Sequence, residues 1–276
     1  MDQNDIPPLL TEVSETEASP TPSSIPRWRW WLHLLVLAMF PLMFGILSLV
    51  AGDKASGALL PSNTSGLILA SGEGILIFAL FFLAAWLLSR VNSGQLLFKW
   101  HRGGMPLVWG VLYSAGLRLI ASVPVVLWIL WNGLGDFKPE EIQEKVNHLA
   151  DPKVLTHDPV YLGVALTLVS FVLGGFREEL WRAGMFAGVK ELFPHAFARK
   201  RGKAVAVILV AFLFGCGHVS QGPLAAVSIG FVGAGLGFIM LWHRSIWEAT
   251  IAHGFFDATT FAMVWWLTKY HPHIAQ

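Results

Sequence analysis

Residues 66–89 read GLILASGEGILIFALFFLAAWLLS. The stretch is longer than the roughly 20 mostly apolar residues that a helix needs to cross a bilayer's hydrocarbon. It sets the scale for the rest of the chain, because similar stretches recur on both sides of it. Working outward, spans are expected at about 30–50, 66–89, 105–131, 160–188, 203–220, 222–242 and 246–268. The fourth is apolar only to Phe176 and then meets Arg177, Glu178 and Glu179. The fifth and sixth are parted by the break Ser220-Gln221-Gly222-Pro223.

The composition agrees. Of 276 residues, 54% are hydrophobic and only 13% are charged, against about 25% charged in an ordinary soluble domain. The mean hydropathy is +0.57. So few charges cannot cover a water-facing surface, so lipid is the expected solvent. The net charge of +1 gives no sign of a nucleic-acid partner. With Cys216 as the sole cysteine, no internal disulfide can form. Several of the 13 Trp sit where apolar runs begin or end, as in an interfacial aromatic belt.

The expected fold class is therefore all-α: a polytopic transmembrane helical bundle of about seven spans with a disordered N-terminal tail. That tail is residues 1–26, which are acidic, rich in Ser, Thr and Pro, and poor in large apolar side chains. They lack the basic start, apolar core and small-residue site of a cleaved signal peptide. Residues 27–159 form N-terminal spans and an outer loop, and 160–276 a second group of spans.

Basic residues alternate between loops. Arg27 and Arg29 precede span one. Arg90, Lys99 and Arg102 follow span two. Lys190, Arg199, Lys200, Arg201 and Lys203 follow span four. His243 and Arg244 follow span six. The 132–159 loop instead carries Asp136, Glu140, Glu141, Glu144 and Asp151, with an amphipathic helix expected near 139–150. By the positive-inside rule the N-terminus is cytoplasmic. The basic run 199–203 is expected to meet anionic membrane lipids. In span six, Gly230, Gly233, Ala234 and Gly237 make a small-residue face, read as close packing within the bundle rather than as a homodimer seam.

Ionisable residues inside the spans need an explanation, since a charge at a helix centre costs on the order of 2.5–3.5 kcal/mol to insert. Glu178, Glu179 and Arg182 lie in span four, His218 late in span five, and His253 and Asp257 in span seven. Glu178 with Arg182, and His253 with Asp257, are spaced i, i+4 and so share a helical face. At 1.5 Å per residue, Glu178 lies roughly 18 Å, His218 roughly 22 Å and His253 roughly 14 Å from the cytoplasmic boundary. One shared interior site is the economical reading. A carboxylate beside an imidazole can move a proton from water to a leaving group. A second imidazole, oriented by Asp257, can stabilise an oxyanion. Glu178, His218, His253 and Asp257 are equally able to hold a divalent metal such as zinc, although no HExxH is present. The cofactor stays open.

Glu178-Glu179-Leu180-Trp181-Arg182, Phe214-Gly215-Cys216-Gly217-His218 and His253-Gly254-Phe255-Phe256-Asp257 together resemble the signature of the CPBP intramembrane proteases. These include CaaX prenyl endopeptidases and bacteriocin-processing, Abi-like relatives. The family pattern is a Glu-Glu pair followed by Arg, then FxxxH, then HxxxN or HxxxD, each in its own span. Here Leu180 and Trp181 alone separate Glu179 from Arg182, one residue fewer than usual, and Asp257 stands where many members have Asn. The resemblance covers about 160–268. It implies an intramembrane endopeptidase, with 160–276 as its catalytic core, in which Glu178 activates the water with His218 as partner. His253 and Asp257 would stabilise the oxyanion, with Glu179 and Arg182 in support. It also implies a peptide or protein substrate, lipid-modified in some members, and a bacterial inner (plasma) membrane as the location.

Plainer readings stand beside these. Glu179 and Arg182 can be a structural ion pair. Cys216 and His218 are i, i+2 and face apart, against a thiol nucleophile. Phe214 is read as packing, Arg177 as snorkelling, and Glu248 as a first-turn acid favoured by the helix dipole. His33, His101, His148 and His157 lie outside the cluster and are read as ordinary. A proton-coupled transporter and a catalytically silent scaffold are the alternative functions.

Overall fold

The computed structural model describes residues 25–51, 60–101, 103–133 and 150–270. The expected tail, up to Ser24, and the expected helix near 139–150, up to His148 and Leu149, lie outside them. The described residues form helices and no strand. They are α1 Arg27–Ala51, α2 Thr64–Ser89, α3 Met105–Asn132, the short α4 Pro152–His157, α5 Pro159–Leu192, the short α6 Pro194–Ala198, α7 Lys200–Cys216, α8 Pro223–His243 and α9 Trp247–Tyr270.

Local chemistry sets the helix ends. Asn63 caps α2 by accepting from the Gly66 amide, and Arg90 closes it in the left-handed region with its N–H on the Trp86 carbonyl. Asp158 caps α5 through the Val160 and Tyr161 amides and also accepts the Thr64 hydroxyl at 2.7 Å. One carboxylate thus joins the starts of α2 and α5. The hydroxyl and the two amides hold it below the usual carboxylate range.

Seven long helices stand at the seven expected ranges. Five segments are long and apolar enough to cross a membrane: Arg27–Leu47, Thr64–Ser89, Met105–Asn132, Pro159–Leu192 and Pro223–His243. The other two depart for identifiable reasons. α7 has 17 residues, roughly 25 Å at 1.5 Å each, because the chain leaves the helix after Cys216, two residues before His218. α9 is long enough, but Glu248, His253, Asp257 and Lys269 dilute it. Leu119, Leu130, Ile208, Phe212 and Trp242 are exposed on helices whose other faces are buried. That is how a protein solvated by lipid looks, and the chain is an integral membrane protein.

The core runs through Trp30, Leu37, Phe40, Phe78, Trp181, Phe186, Phe214, Leu236 and Met240. Small residues let the backbones close on one another. Cβ atoms at Gly184 and Gly188 would lie 2.8 and 2.6 Å from Leu37 and Leu34 of α1. A Cβ at Gly233 would lie 2.7 Å from the Phe214 ring, and one at Gly237 would lie 3.1 Å from Phe186. The small face of α8 is thus spent inside the bundle. His33, read from sequence as ordinary, is wholly buried and lies 3.0 Å from the carbonyls of both Ala85 and Gly184. It ties α1 to α2 and α5.

Candidate active site

Within α5, residues Ala165–Arg177 are wound as a π-helix and the α-helix resumes at Glu178. Local π-winding often marks functional positions. Here Ser170 donates its hydroxyl to the Ala165 carbonyl, five residues back. Two glycines of this stretch bring α5 against α9. A Cβ at Gly175 would lie 2.8 Å from the Thr250 carbonyl, and one at Gly174 would lie 2.1 Å from Oδ2 of Asp257. Gly254 answers from α9, where a Cβ would meet the Phe171 ring at 2.3 Å. The adjacent glycines 174 and 175, unremarked in the sequence reading, make room for the site.

The centre of that site is the His253 imidazole. Its Nδ1 lies 3.0 Å from Oε1 of Glu179, a hydrogen bond in which the ring donates. Its Nε2 faces Oε2 of Glu178 and Oδ2 of Asp257, both at 3.7 Å. Glu179 is fully buried and forms an ion pair with Arg182, which is equally buried. The Arg182 guanidinium also stacks 4.6 Å above the Phe214 ring. Glu178 accepts from Arg177 at 2.9 Å and has Arg177, His253 and His218 as electrostatic neighbours. Glu178 and Asp257 keep side-chain exposures of 14% and 29%, so water can reach these two carboxylates while Glu179 is sealed.

His218 sits just beyond the end of α7. Its Nδ1 donates to the Phe214 carbonyl at 2.8 Å and its ring lies 4.7 Å from that of Phe214. The same phenyl ring meets His253 edge-on at 6.2 Å, so Phe214 contacts both imidazoles. The α7 terminus is held by α1. Cβ atoms at Gly45 and Gly217 would lie 2.5 Å from the Cys216 carbonyl and 2.9 Å from Pro41.

The sequence readings are sharpened in two places. Arg182 forms the ion pair with Glu179 that the sequence allowed, rather than pairing with Glu178, whose face it also shares. The Arg177 guanidinium, which passes 5.8 Å over Phe40 instead of snorkelling outward, takes Glu178 and leaves the interior carboxylate to Arg182. The group that orients His253 is Glu179. Asp257, at 3.7 Å, makes no hydrogen bond to the ring. Sequence reading also missed Arg118 of α3. It donates to the Phe256 carbonyl and the Thr259 and Thr260 hydroxyls and lies 4.6 Å over the Phe256 ring. It thereby braces α9 beside Asp257. A lone arginine in an apolar span was the available signal.

For a metal, the donor types are right but the spacing is loose. Glu178 and Asp257 approach His253 from two sides. Among the described residues, one group of three His, Cys, Asp or Glu offers ligand atoms all within 4.8 Å of one another, and it is His101, His243 and Glu248, elsewhere in the fold.

Residues 160–259 match the family model described as type II CAAX prenyl endopeptidase, Rce1-like. No curated protein and no solved structure matches the chain. The matched segment holds Glu178, Glu179, Arg182, His218, His253 and Asp257, and it supports a likeness of these C-terminal helices to the CPBP/CAAX proteases.

Proposed function

We propose that this chain is an intramembrane protease of the CAAX type, a reading supported by the family match over residues 160–259. We propose that its chemistry is peptide-bond hydrolysis by water activated at Glu178. The observation that carries this is the inequality of the two adjacent glutamates. Glu179 is spent on Arg182 and His253 in a sealed position. Glu178 is partly exposed and faces His253 Nε2.

Glu178 takes a proton from water as the water oxygen attacks the scissile carbonyl carbon. His218 keeps Nε2 free for the same water, because its Nδ1–H is given to Phe214. The tetrahedral oxyanion is met by His253 in its doubly protonated form. Glu179 supports that form at Nδ1, and Nε2–H points toward the cavity side shared by Glu178 and Asp257. When the C–N bond breaks, the proton held by Glu178 passes to the leaving amine. Asp257 fixes the distance between α9 and α5 at the reacting level. A divalent metal such as zinc remains an alternative occupant of Glu178, His218, His253 and Asp257. It would supply Lewis-acid polarisation of the carbonyl.

We assign the substrate to peptides or proteins presented at the membrane, with lipid-modified termini as the first class to try. The basic loops favour a cytoplasmic N-terminus, and a bacterial inner membrane is the proposed location. The test is cleavage by protein purified in detergent or liposomes, with a peptide library and prenylated CaaX peptides as substrates. Glu178→Ala and His218→Ala should each abolish product. Cleavage that survives both substitutions refutes the assignment, and proton-coupled flux that persists in their absence would favour a transporter.

A further inference from the structure

The second cluster lies where the connection after α2 meets the turn between α8 and α9. Glu248, in the first turn of α9, is 1% exposed. Its Oε1 lies 2.7 Å from Nδ1 of His101 and 3.8 Å from Nδ1 of His243. Its Oε2 is buried with no hydrogen-bond partner. His243 is the last residue of α8, and its Nε2 is 2.8 Å from the Tyr113 hydroxyl of α3. The backbone around the cluster is fixed. Arg244 turns through the left-handed region, Ser245 caps the Trp247 amide, and the Ile246 amide donates to the Leu97 carbonyl at 3.0 Å.

A simple His101–Glu248 ion pair accounts for Oε1 alone. It leaves Oε2 orphaned in a buried position, where a desolvated carboxylate oxygen without a donor is unfavourable. It also leaves His243 Nδ1 directed at the same carboxylate with no bond to it. We propose that His101, His243 and Glu248 are a binding site for a divalent transition-metal cation of the zinc class, which staples the 90–101 segment after α2 to the α8–α9 turn. Two imidazoles and one carboxylate are an ordinary zinc donor set, with water in the fourth position. Zinc bonds of about 2.0–2.2 Å put tetrahedral ligand atoms roughly 3.3 Å apart. The 2.7 and 3.8 Å separations bracket that value, so each histidine's distance to the Glu248 oxygen shifts by about half an ångström, and all three ligand atoms already lie within 4.8 Å of one another. The proton shared by His101 and Glu248 leaves to solvent as the cation enters. His101, 35% exposed at its side chain, is the entry point. The Tyr113 hydroxyl accepts from Nε2–H of His243, which fixes the tautomer with a lone pair on Nδ1 and supplies the outer support that metal-bound histidines use.

This site is separate from the catalytic cluster. Glu248 precedes His253 by five residues, roughly 7.5 Å along α9 and on another face of the helix. The cation pins the first turn of the helix that carries His253 and Asp257.

The test uses the full chain in detergent, stripped with a chelator and dialysed against buffered zinc, with bound metal counted by elemental analysis and cobalt absorption as a second readout. The wild type and Glu178→Ala should both bind zinc at this site. His101→Asn and His243→Asn, checked for unchanged elution on gel filtration, should each bind one equivalent less. Tyr113→Phe leaves all three ligands and should weaken binding tenfold to a hundredfold. It serves as the deciding variant if the histidine variants do not elute as the wild type does. The proposal is overturned if the wild type binds no zinc, if Glu178→Ala alone removes it, or if wild type, His243→Asn and Tyr113→Phe bind zinc alike.

Discussion

The buried pair of Glu179 and Arg182 offers the sharpest test of how this interior is held together. Both side chains are wholly inaccessible to solvent, so neither charge is screened and neither can swing into water. Removing one partner of such a pair costs about 3–5 kcal/mol, whereas replacing both by apolar or neutral groups of similar volume is often neutral or stabilising. Arg182→Met should therefore destabilise by about 3 kcal/mol or more, because the Glu179 carboxylate is left with only the His253 Nδ1–H. Glu179→Gln should do the same, because it strands the Arg182 guanidinium over the Phe214 ring. The double substitution removes both charges while keeping an amide oxygen for His253, and it should recover at least half of either loss. With about 3 kcal/mol lost in each single variant and no more than about 1.5 kcal/mol in the double, the coupling is about 4.5 kcal/mol, above the roughly 0.5–3 kcal/mol usual for residues in direct contact.

Equilibrium unfolding in mixed micelles, followed by tryptophan fluorescence, gives the three differences under one set of conditions. Cleavage assays on the same samples separate structure from chemistry. The double variant should regain stability without regaining full activity, since a neutral amide does not support a protonated His253 as a carboxylate does. Effects that add to within about 0.5 kcal/mol would mean the two residues act independently. The pairing that anchors the site would then be wrong.

Two other predictions follow from single contacts. In Gly174→Ala the new methyl overlaps Oδ2 of Asp257. Because that oxygen ends a short movable side chain, cleavage should fall at least tenfold while the melting temperature drops little, and unchanged cleavage would show that Asp257 placement is immaterial. Asp158 has its folded-state carboxyl held low by Thr64 and the α5 amides. Its stabilising contribution is therefore present in full above the unfolded value of 3.8 and is lost as pH falls through the lower folded value. Asp158→Asn should flatten the acid limb of the melting-temperature profile, and a limb identical to the wild type would rule the cap out as its source.

Much of this was legible because bilayer thickness imposes a length on each apolar run. The seven helices lie where the runs lie, and the polar residues inside the runs mark the site. Arg118 and the His101–Glu248 contact were not legible for a common reason: their partners come from elements far away in sequence. His101 meets Glu248 across 147 positions, and Arg118 meets Phe256 across 138. Glu248 does occupy a first helical turn as the dipole argument expects, but that position says nothing about its two histidine neighbours.

The pairing of Arg182 was left open for a different reason. Arg182 is i+4 from Glu178 and i+3 from Glu179, and both spacings bring side chains together on an α-helix. Spacing alone therefore cannot choose between them. Burial and competition choose. Glu179 faces the interior, where a carboxylate must have a cation, and Arg182 is the cation buried with it. Glu178 lies nearer the opening, where Arg177 already reaches it at the end of the π-wound stretch. With one arginine for each glutamate, Glu179 is fixed as support for His253 and Glu178 keeps an oxygen on the open side. The two adjacent glutamates are thus made unequal by their cations and their depth.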